Sequence, residues 1–304
     1  MASSSEPQPS VIRGLLAVLV GFGLMAFLAC SRSADSHAKE HAMTGSAGHA
    51  KIVFLHHSTG EVIWNGGLPQ FIQGWNAAHG TQYEITEMNY SSALGGRTTL
   101  RRLLPERIFN KVVGGRYPWD NYPYDYWNLW VKHRGENRDR SELNLDDLAR
   151  TYDVIVFKHC FPVSLVKADD GAADVSSPKK TLANYKLQYE ALKQRMHEFP
   201  QVRFIVWTGA AQTQACSSPE EAERARQFTT WVKEVWDEPG DNIFVWDFHG
   251  LETEGGLYLK PEFASAPDDP HPTRALGAKA APLLGQRIVD VIEGRGDQVS
   301  PKGR

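Results

Sequence analysis

The sequence predicts an α/β fold in which a mainly parallel, five-stranded sheet carries helices on both faces. Five short apolar runs recur along the chain, and amphipathic helical patterns separate several of them. Strands that alternate with helices need crossover connections, and such connections produce a parallel sheet that is covered on both sides. The length of 304 residues is sufficient for one large domain, or two small ones, with a substantial core.

The predicted strands are apolar runs bounded by polar or turn-forming residues. In chain order they are Ile52–Leu55, Tyr83–Met88, Val154–Phe157, Phe204–Trp207 and Ile243–Trp246. The predicted helices carry apolar residues at three- and four-residue spacings, and they extend over residues 181–198, 219–236 and 275–293. The second of these follows Ser218 and has Pro219 near its first position, which is typical of a helix N-terminus.

One segment interrupts this alternation between the second and third strands. Residues 97–150 are too long for an ordinary connection, which predicts an insertion with its own local structure. The middle of the insertion reads RYPWDNYPYDYWNLW, and so many aromatic side chains in so short a run are not all expected to be buried. Trp119, Tyr124 and Trp127 are therefore candidates for stacking on the rings of a sugar. The alternative is a small satellite core that packs the insertion onto the main domain.

The first 30 residues have the pattern of a lipoprotein-type signal peptide. A cationic start precedes the apolar run LLAVLVGFGLMAFLAC. The end of this run resembles the bacterial lipobox, in which a cysteine, here Cys30, is lipidated after cleavage, although Phe27 replaces the usual leucine. An uncleaved membrane anchor is the alternative, and the run is slightly short for a spanning helix. Either interpretation places the body outside the cytoplasm, and the lipobox favours an exported, membrane-anchored lipoprotein of the bacterial cell envelope, periplasmic or at the cell surface.

The remaining segments suggest the domain boundaries. Residues 31–50 are small and polar, which predicts a flexible linker, and residues 51–295 form the folded body. Residues 296–304 are expected to be a disordered tail. The formal net charge is -3 and both signs are spread along the chain, so a nucleic acid is not expected as a partner.

Two cysteines remain once Cys30 is assigned to the lipobox. Cys160 and Cys216 both lie next to predicted strands. In an oxidising compartment they could form a disulfide, or they could stay as two buried thiols. The sequence leaves both alternatives open.

The residues with chemical potential lie at the two ends of the body. The first strand leads into HHSTG, and the carboxyl end of such a strand is where α/β proteins keep their sites. Ser58 in this motif is a candidate nucleophile, with a helix N-cap as the alternative. Near the other end, Asp268-Asp-Pro-His-Pro-Thr273 precedes the last helix. A carboxylate three residues ahead of His271 can accept from its Nδ1–H and direct the other ring nitrogen at a nucleophile.

Together these motifs resemble the SGNH (GDSL-like) hydrolase superfamily, in which the nucleophilic serine follows the first strand and Asp-x-x-His precedes the final helix. The resemblance covers residues 51 to about 293. It implies a three-layer, flavodoxin-like fold and a serine esterase mechanism. Ser58 would be the nucleophile, His271 the general base and Asp268 its orienting partner, with Asp269 as the neighbour that could take this last role.

The chain is an atypical member of that superfamily. His56-His57-Ser58 replaces the usual Gly-Asp-Ser, and Gly95 or Gly96 resembles the glycine of the second conserved block, whose N–H helps to form the oxyanion hole. An ordinary turn glycine is the alternative there. The asparagine of the third block is missing, because the sequence after the third strand reads Lys158-His159-Cys160.

Several groups could supply the missing hydrogen bond to the oxyanion. Cys160 falls at the position of the asparagine, but a thiol is a weak donor. His57 is the favoured replacement because it adjoins Ser58 and can donate from either ring nitrogen. Lys158 and His159 are further candidates, and His159 is also a candidate for contact with the substrate. The expected oxyanion-hole residues are Ser58, Gly95, Gly96, His57 and Cys160.

Three kinds of function fit these observations. The first is an exported serine esterase that removes an acyl group, expected to be O-acetyl, from a glycan or from another small ester. The second is a catalytically weak or inactive glycan-binding protein of the same fold. The third is a metal-dependent hydrolase that uses His56, His57, Asp268 and His271, which is disfavoured because adjacent residues of an extended segment point to opposite faces. We therefore expect no cofactor and no metal, and a membrane contact only through the N-terminal lipid or anchor.

Overall fold

The five predicted strands form one sheet in the computed structural model, which describes residues 48–89, 120–135 and 144–303. In chain order the strands are β1 (His49–His56), β2 (Gln82–Asn89), β3 (Val154–Phe157), β4 (Arg203–Trp207) and β5 (Ile243–Trp246). Their order across the sheet is β2-β1-β3-β4-β5, and every neighbouring pair is parallel. This is the flavodoxin-like order of a doubly wound sheet, so the predicted fold class is confirmed.

Helices cover both faces of the sheet. They are α1 (Thr59–Asn65), α2 (Leu68–His79), α3 (Pro123–Tyr126), α4 (Leu145–Thr151), α5 (Leu182–His197), α6 (Pro219–Trp231), α7 (Phe248–Thr253) and α8 (Arg274–Ile292). Helices α3 and α6 continue as π-helical turns over Trp127–Lys132 and Val232–Trp236. An antiparallel hairpin of β6 (Ala264–Ala266) and β7 (Asp269–Pro272) precedes α8.

The two faces of the sheet pack into two separate cores. On β1, Ile52 and Phe54 face the core that contains α1, α2, α7 and α8. Val53 and Leu55 face the core that contains α3, α4, α5 and α6. Successive side chains of a strand point to opposite faces, so a strand buried on both sides is apolar throughout. This arrangement gives three layers and explains why the strand sequences do not alternate between apolar and polar residues.

The aromatic part of the insertion is largely core. Tyr122, Tyr126 and Trp130 are buried in the second core, and the Trp130 ring meets those of Tyr126 and Phe157 edge-on. Trp127 was expected to stack on a sugar ring. It is only 7% exposed, so it does not offer a free ring face to a sugar. Tyr124 is partly buried against Trp127, with their ring centroids 5.6 Å apart. The satellite-core interpretation therefore describes these residues better, and Trp119 lies outside the described residues.

Close packing of α1 on α8 fixes the distance between the two ends of the body. At Gly66, just after α1, an added Cβ would lie 2.4 Å from the backbone of Gly277 in α8. At Gly277 an added Cβ would lie 2.6 Å from the carbonyl oxygen of Val62. Only glycine permits this backbone approach. Because α1 follows Ser58 and α8 follows His271, the contact holds the two sequence motifs together.

The C-terminal segment was expected to be a disordered tail, and this prediction was wrong for residues 296–303. The carbonyl oxygen of Pro301 accepts from the Asp247 N–H at 2.9 Å, and the Asp297 carboxylate accepts from the Gly240 N–H at 2.8 Å. The buried Arg287 guanidinium donates to the carbonyl of Gly296. These backbone and charged partners tie the segment to the domain despite its polar composition.

The described residues include no helix long and apolar enough to cross a membrane. The predicted signal peptide with Cys30, most of the linker, and both Gly95 and Gly96 lie outside the described residues.

Candidate active site

Ser58, His271 and Asp269 form a chain of hydrogen bonds. Ser58 Oγ lies 2.6 Å from His271 Nε2, and His271 Nδ1 lies 2.5 Å from Asp269 Oδ1. A carboxylate oxygen can only accept, so it fixes the proton on Nδ1 and leaves Nε2 to accept from the serine hydroxyl. The arrangement is that of a Ser-His-Asp triad. Two hydrogen bonds from His271, first from its backbone N–H and then from its ring, lower the pKa of Asp269.

The orienting carboxylate belongs to Asp269, so the expected role of Asp268 was wrong and its neighbour takes the place. Asp269 Oδ1 also accepts from the backbone N–H of His271 at 3.0 Å, which is an Asx-turn. An Asx-turn joins residues two apart, so it selects Asp269 and not the residue before it. The carbonyl oxygen of Asp268 instead accepts from the Cys216 thiol at 3.3 Å. Cys160 and Cys216 are both free thiols.

Ser58 lies in a strained turn between β1 and α1. Its φ is 54° and its ψ is -110°, and the Gly60 N–H donates to the carbonyl of His57 at 3.1 Å. These angles match the first central residue of a type II′ turn, a position that normally favours glycine. Strain of this kind costs about 1–3 kcal/mol and is concentrated at functional sites. Ser58 occupies the N-cap position of α1 but makes no capping bond, so its hydroxyl is left for His271.

The strand order explains why these residues meet. The chain order reverses between β1 and β3, and the carboxyl ends of the strands at such a switch point form a crevice. Ser58 follows β1, and Lys158, His159 and Cys160 follow β3. The hairpin β6–β7 brings His271 to the same edge, where β7 packs against α1.

His57 is held by two residues that follow β3. Its Nδ1 lies 3.1 Å from Cys160 Sγ, and its carbonyl oxygen accepts from Lys158 Nζ at 3.1 Å. Lys158 Nζ also lies 3.5 Å from Cys160 Sγ, and Lys158 is only 1% exposed. Burial, followed by the charge of Lys158, lowers the pKa of His57 to about 3. His57 is therefore a neutral imidazole at any pH near neutrality.

His56 points away from this cluster, as expected for adjacent residues of an extended segment. Its Nε2 lies 2.9 Å from Glu87 Oε2, and its ring centroid lies 4.4 Å from that of Phe54 and 6.2 Å from that of Trp64. Burial and the charge of Lys158 lower the pKa of His56 to about 3, so the neutral ring donates to the carboxylate. Among the described residues no group of three or more His, Cys, Asp or Glu side chains could hold a metal ion.

His159 does not reach the site. Its ring is buried in the second core, with its centroid 4.9 Å from that of Tyr126 and 5.5 Å from that of Tyr189. Neither ring nitrogen has a hydrogen-bond partner within the described part of the chain, and burial lowers the pKa of His159 to about 3. Its proposed contact with substrate or oxyanion is therefore wrong, because the side chain on the opposite face from Lys158 enters the core.

Two residues beside the site were not predicted from the sequence. Phe161 packs edge-on against the His271 ring, with the centroids 5.0 Å apart. Asn121 is fully buried with a φ of 57°, and its carbonyl oxygen accepts from the Cys160 N–H at 2.7 Å. Its neighbours Asp120 and Tyr122 both donate backbone N–H groups to the Asp125 carboxylate, which shapes this turn. Asparagine tolerates the left-handed conformation, so Asp-Asn-Tyr-Pro was a usable turn signal.

A groove of about 1210 Å³ runs beside the hairpin. It is lined by residues 213–215, by residues 253–261 and by the β6 segment 264–267. Ser58, His271 and Asp269 are not among the lining residues. The groove thus adjoins the hairpin that carries His271 without containing the triad.

Comparisons with known proteins give no assignment. No protein family matches the chain, and no curated protein matches it. Among solved structures, an alcohol dehydrogenase from the archaeon Thermococcus sibiricus, complexed with 5-hydroxy-NADP, is similar at 14% identity. The match covers 64% of this chain and 95% of that chain, with a TM-score of 0.21. A TM-score of this size supports no inference about function.

Proposed function

We propose that the protein is a serine esterase, similar to the SGNH hydrolases, that hydrolyses carboxylic esters through an acyl-enzyme. The observation that carries the proposal is the 2.6 Å contact of Ser58 Oγ with His271 Nε2, while Asp269 holds the other ring nitrogen. A nucleophile, a base in hydrogen-bond contact with it and a third group that orients the base are the components of an activated serine. The strained turn at Ser58 adds support, because a nucleophilic serine on a strand-to-helix turn is exposed to substrate.

The reaction begins with attack of Ser58 Oγ on the ester carbonyl carbon while His271 Nε2 takes the hydroxyl proton. The tetrahedral intermediate then collapses: the bond to the alcohol oxygen breaks, and His271 returns the proton to that oxygen. Water attacks the acyl-enzyme with His271 again as base, which releases the carboxylic acid and restores Ser58. Asp269 stabilises the imidazolium that forms in both halves of the reaction.

For the substrate we propose an O-acetyl ester of a glycan in the cell envelope. The support comes from the predicted export segment and from the openness of the site, since the side chains of His271 and Asp269 are 44% and 46% exposed. An open site admits a bulky alcohol such as a sugar. The aromatic insertion adds no support, because Trp127 is packed in the domain.

The experiment is a hydrolysis assay on the full chain with p-nitrophenyl acetate, followed by acetate release from O-acetylated polysaccharides. We expect Ser58→Ala and His271→Ala to abolish the acyl-enzyme route and lower kcat by about 10⁴-fold or more. Ser176→Ala replaces an exposed serine of the loop before α5 and should behave as wild type. Wild-type rates in Ser58→Ala would contradict the proposal.

A further inference from the structure

An esterase with this triad needs a hydrogen-bond donor for the oxyanion of its tetrahedral intermediate. In the SGNH hydrolases an asparagine is one such donor, and in this chain Cys160 falls at its position. Removing one such donor typically costs about 10²–10³ in kcat. If the protein is the esterase proposed above, on which this inference rests, a different side chain should supply the bond. The structure narrows the choice among the groups that follow β1 and β3.

Three groups after β3 are already engaged or enclosed. The Cys160 N–H donates to the carbonyl of Asn121 at 2.7 Å and is therefore occupied. Lys158 Nζ is held beneath the turn by the His57 carbonyl at 3.1 Å and by Cys160 Sγ at 3.5 Å. His159 is enclosed in the second core. None of these groups is free to reach an intermediate on Ser58.

The His57 ring has one engaged nitrogen and one available nitrogen. Nδ1 lies 3.1 Å from Cys160 Sγ. Nε2 has no hydrogen-bond partner among the described residues, and it is not fully buried. His57 directly precedes Ser58, and the charge of His271 is close enough to affect the His57 ring. The His57 ring therefore lies near the triad, and its available nitrogen is Nε2.

The contacts of Cys160 decide which His57 nitrogen carries the proton. Lys158 Nζ can only donate, so Cys160 Sγ accepts from it at 3.5 Å. If the Cys160 thiol then donates its proton to His57 Nδ1, then Lys158 Nζ, Cys160 Sγ and His57 Nδ1 each have a hydrogen-bond partner. If Nδ1 carried the proton instead, the thiol proton would have no acceptor among the described residues. The hydrogen-bond network thus favours the imidazole that is protonated at Nε2.

We propose that His57 donates its Nε2–H to the oxyanion in place of the missing asparagine. Lys158 and Cys160 are positioning residues in this arrangement: Lys158 holds the His57 carbonyl, and the Cys160 thiol holds the ring tautomer. The low pKa of His57, caused by burial first and by Lys158 second, keeps the ring neutral, so it acts as a donor and does not compete with His271 as a base.

The test compares two amide replacements of His57 in the full chain. The amide nitrogen of glutamine falls near the position of imidazole Nε2, whereas that of asparagine falls near Nδ1. We expect His57→Gln to retain most of kcat, and both His57→Asn and His57→Ala to lose about 10²–10³-fold in kcat with little change in KM. A purely structural role would affect the glutamine and asparagine variants alike.

The role of Cys160 is read from the ring nitrogens of His57 by ¹⁵N NMR, which does not depend on activity. Wild type should show a protonated Nε2 and an unprotonated Nδ1. Cys160→Ala should shift the ring toward a mixture of tautomers and lower kcat, and Cys160→Ser, which keeps a hydroxyl donor, should restore both. An Nδ1-protonated ring in wild type would overturn the inference.

The kinetic outcomes also separate this inference from the proposed function. Equal kcat in His57→Ala and wild type, with Ser58→Ala inactive, would overturn the role of His57 and leave the esterase standing. The buried amide of Asn121 has no hydrogen-bond partner in the segments that the structure describes, and it is the competing donor. Asn121→Gly removes that amide and tolerates the φ of 57°. A large loss of kcat in Asn121→Gly but not in His57→Ala would transfer the role to Asn121. A wild-type chain with no esterase activity would instead refute the proposed function itself.

Discussion

At the scale of single residues, the Asx-turn at Asp269 decides which carboxylate orients His271. Asp269 Oδ1 accepts from both the ring and the backbone N–H of His271. Asp269→Asn replaces an acceptor by an amide that can stabilise the wrong tautomer, and we expect kcat to fall by about 10²–10⁴-fold. Asp268→Asn is the matched control and should keep nearly full activity. The measurement is ester hydrolysis by both variants, and a greater loss in Asp268→Asn would contradict this assignment.

The buried His159 predicts a pH dependence of stability. Its pKa is about 3 in the folded state because of burial, against an ordinary value near 6.5, so only the unfolded state takes up a proton between these values. Its contribution to stability is present above pH 6.5 and is lost as the pH falls toward 3. His159→Phe removes this loss. Relative to wild type, the free energy of unfolding of the variant should rise by about 1 kcal/mol for each pH unit below 6.5.

This gain is measurable by urea unfolding of both proteins at pH 7.5, 6 and 5. The two buried ring nitrogens of His159 lack hydrogen-bond partners among the residues described, so a phenyl ring of similar size should be neutral or stabilising at pH 7.5 as well. A difference between the two proteins that stays constant with pH would show that His159 is protonated equally in both states.

How far these residues could be predicted depends on whether the strand pattern or local geometry determines them. The proximity of Ser58 and His271 was predictable. Ser58 follows the first apolar strand, and His271 precedes the last helix, at the same edge of the parallel sheet. The choice of Asp269 over Asp268 was not, since it depends on an Asx-turn that the Asp-Asp-Pro-His spacing leaves open. The contact of His57 Nδ1 with Cys160 Sγ joins residues that are 103 positions apart, and no local sequence pattern indicates it.

At the scale of secondary-structure elements, the contact of α1 with α8 sets the separation of Ser58 and His271. Gly277→Ala would place a methyl group 2.6 Å from the carbonyl oxygen of Val62, so the two helices must move apart. We expect lower stability by about 1–3 kcal/mol and a fall in kcat, because Ser58 and His271 lie at the starts of these helices. The measurements are chemical unfolding and ester hydrolysis.

Gly74→Ala provides the control within α2, where an added Cβ meets nothing within 4 Å. It should raise stability by up to about 1 kcal/mol through helix propensity and leave kcat unchanged. If Gly277→Ala behaved like Gly74→Ala, the packing of α1 on α8 would not control the site.

The elements that sequence reasoning described well are those with a clear apolar period. The five strands and α5, α6 and α8 occur where they were predicted, and Ser218 caps α6 by accepting from the Glu221 N–H. The hairpin β6–β7 was not predicted, because its strands are only three and four residues long and β7 contains two prolines. The π-helical turn at Trp127–Lys132 was also missed, since its aromatic run suggested exposure.

At the scale of the whole molecule, the doubly wound sheet brings residues from distant parts of the chain to one crevice. Ser58 and His271 are 213 positions apart, and the switch between β1 and β3 makes their meeting possible. Alternating strands and helices were enough to predict this architecture. The C-terminal segment was not predictable from its polar composition, because its hydrogen bonds to Asp247 and Arg287 depend on the folded domain.

The central claim is that Ser58 is a nucleophile activated by His271. The most direct measurement is the intact mass of the full chain after treatment with a fluorophosphonate, which forms a stable adduct only with an activated serine. We predict one adduct on wild type, located at Ser58 by peptide mapping, and none on Ser58→Ala or His271→Ala. A folded wild-type protein that takes up no adduct, or an adduct that persists in Ser58→Ala, would contradict the account.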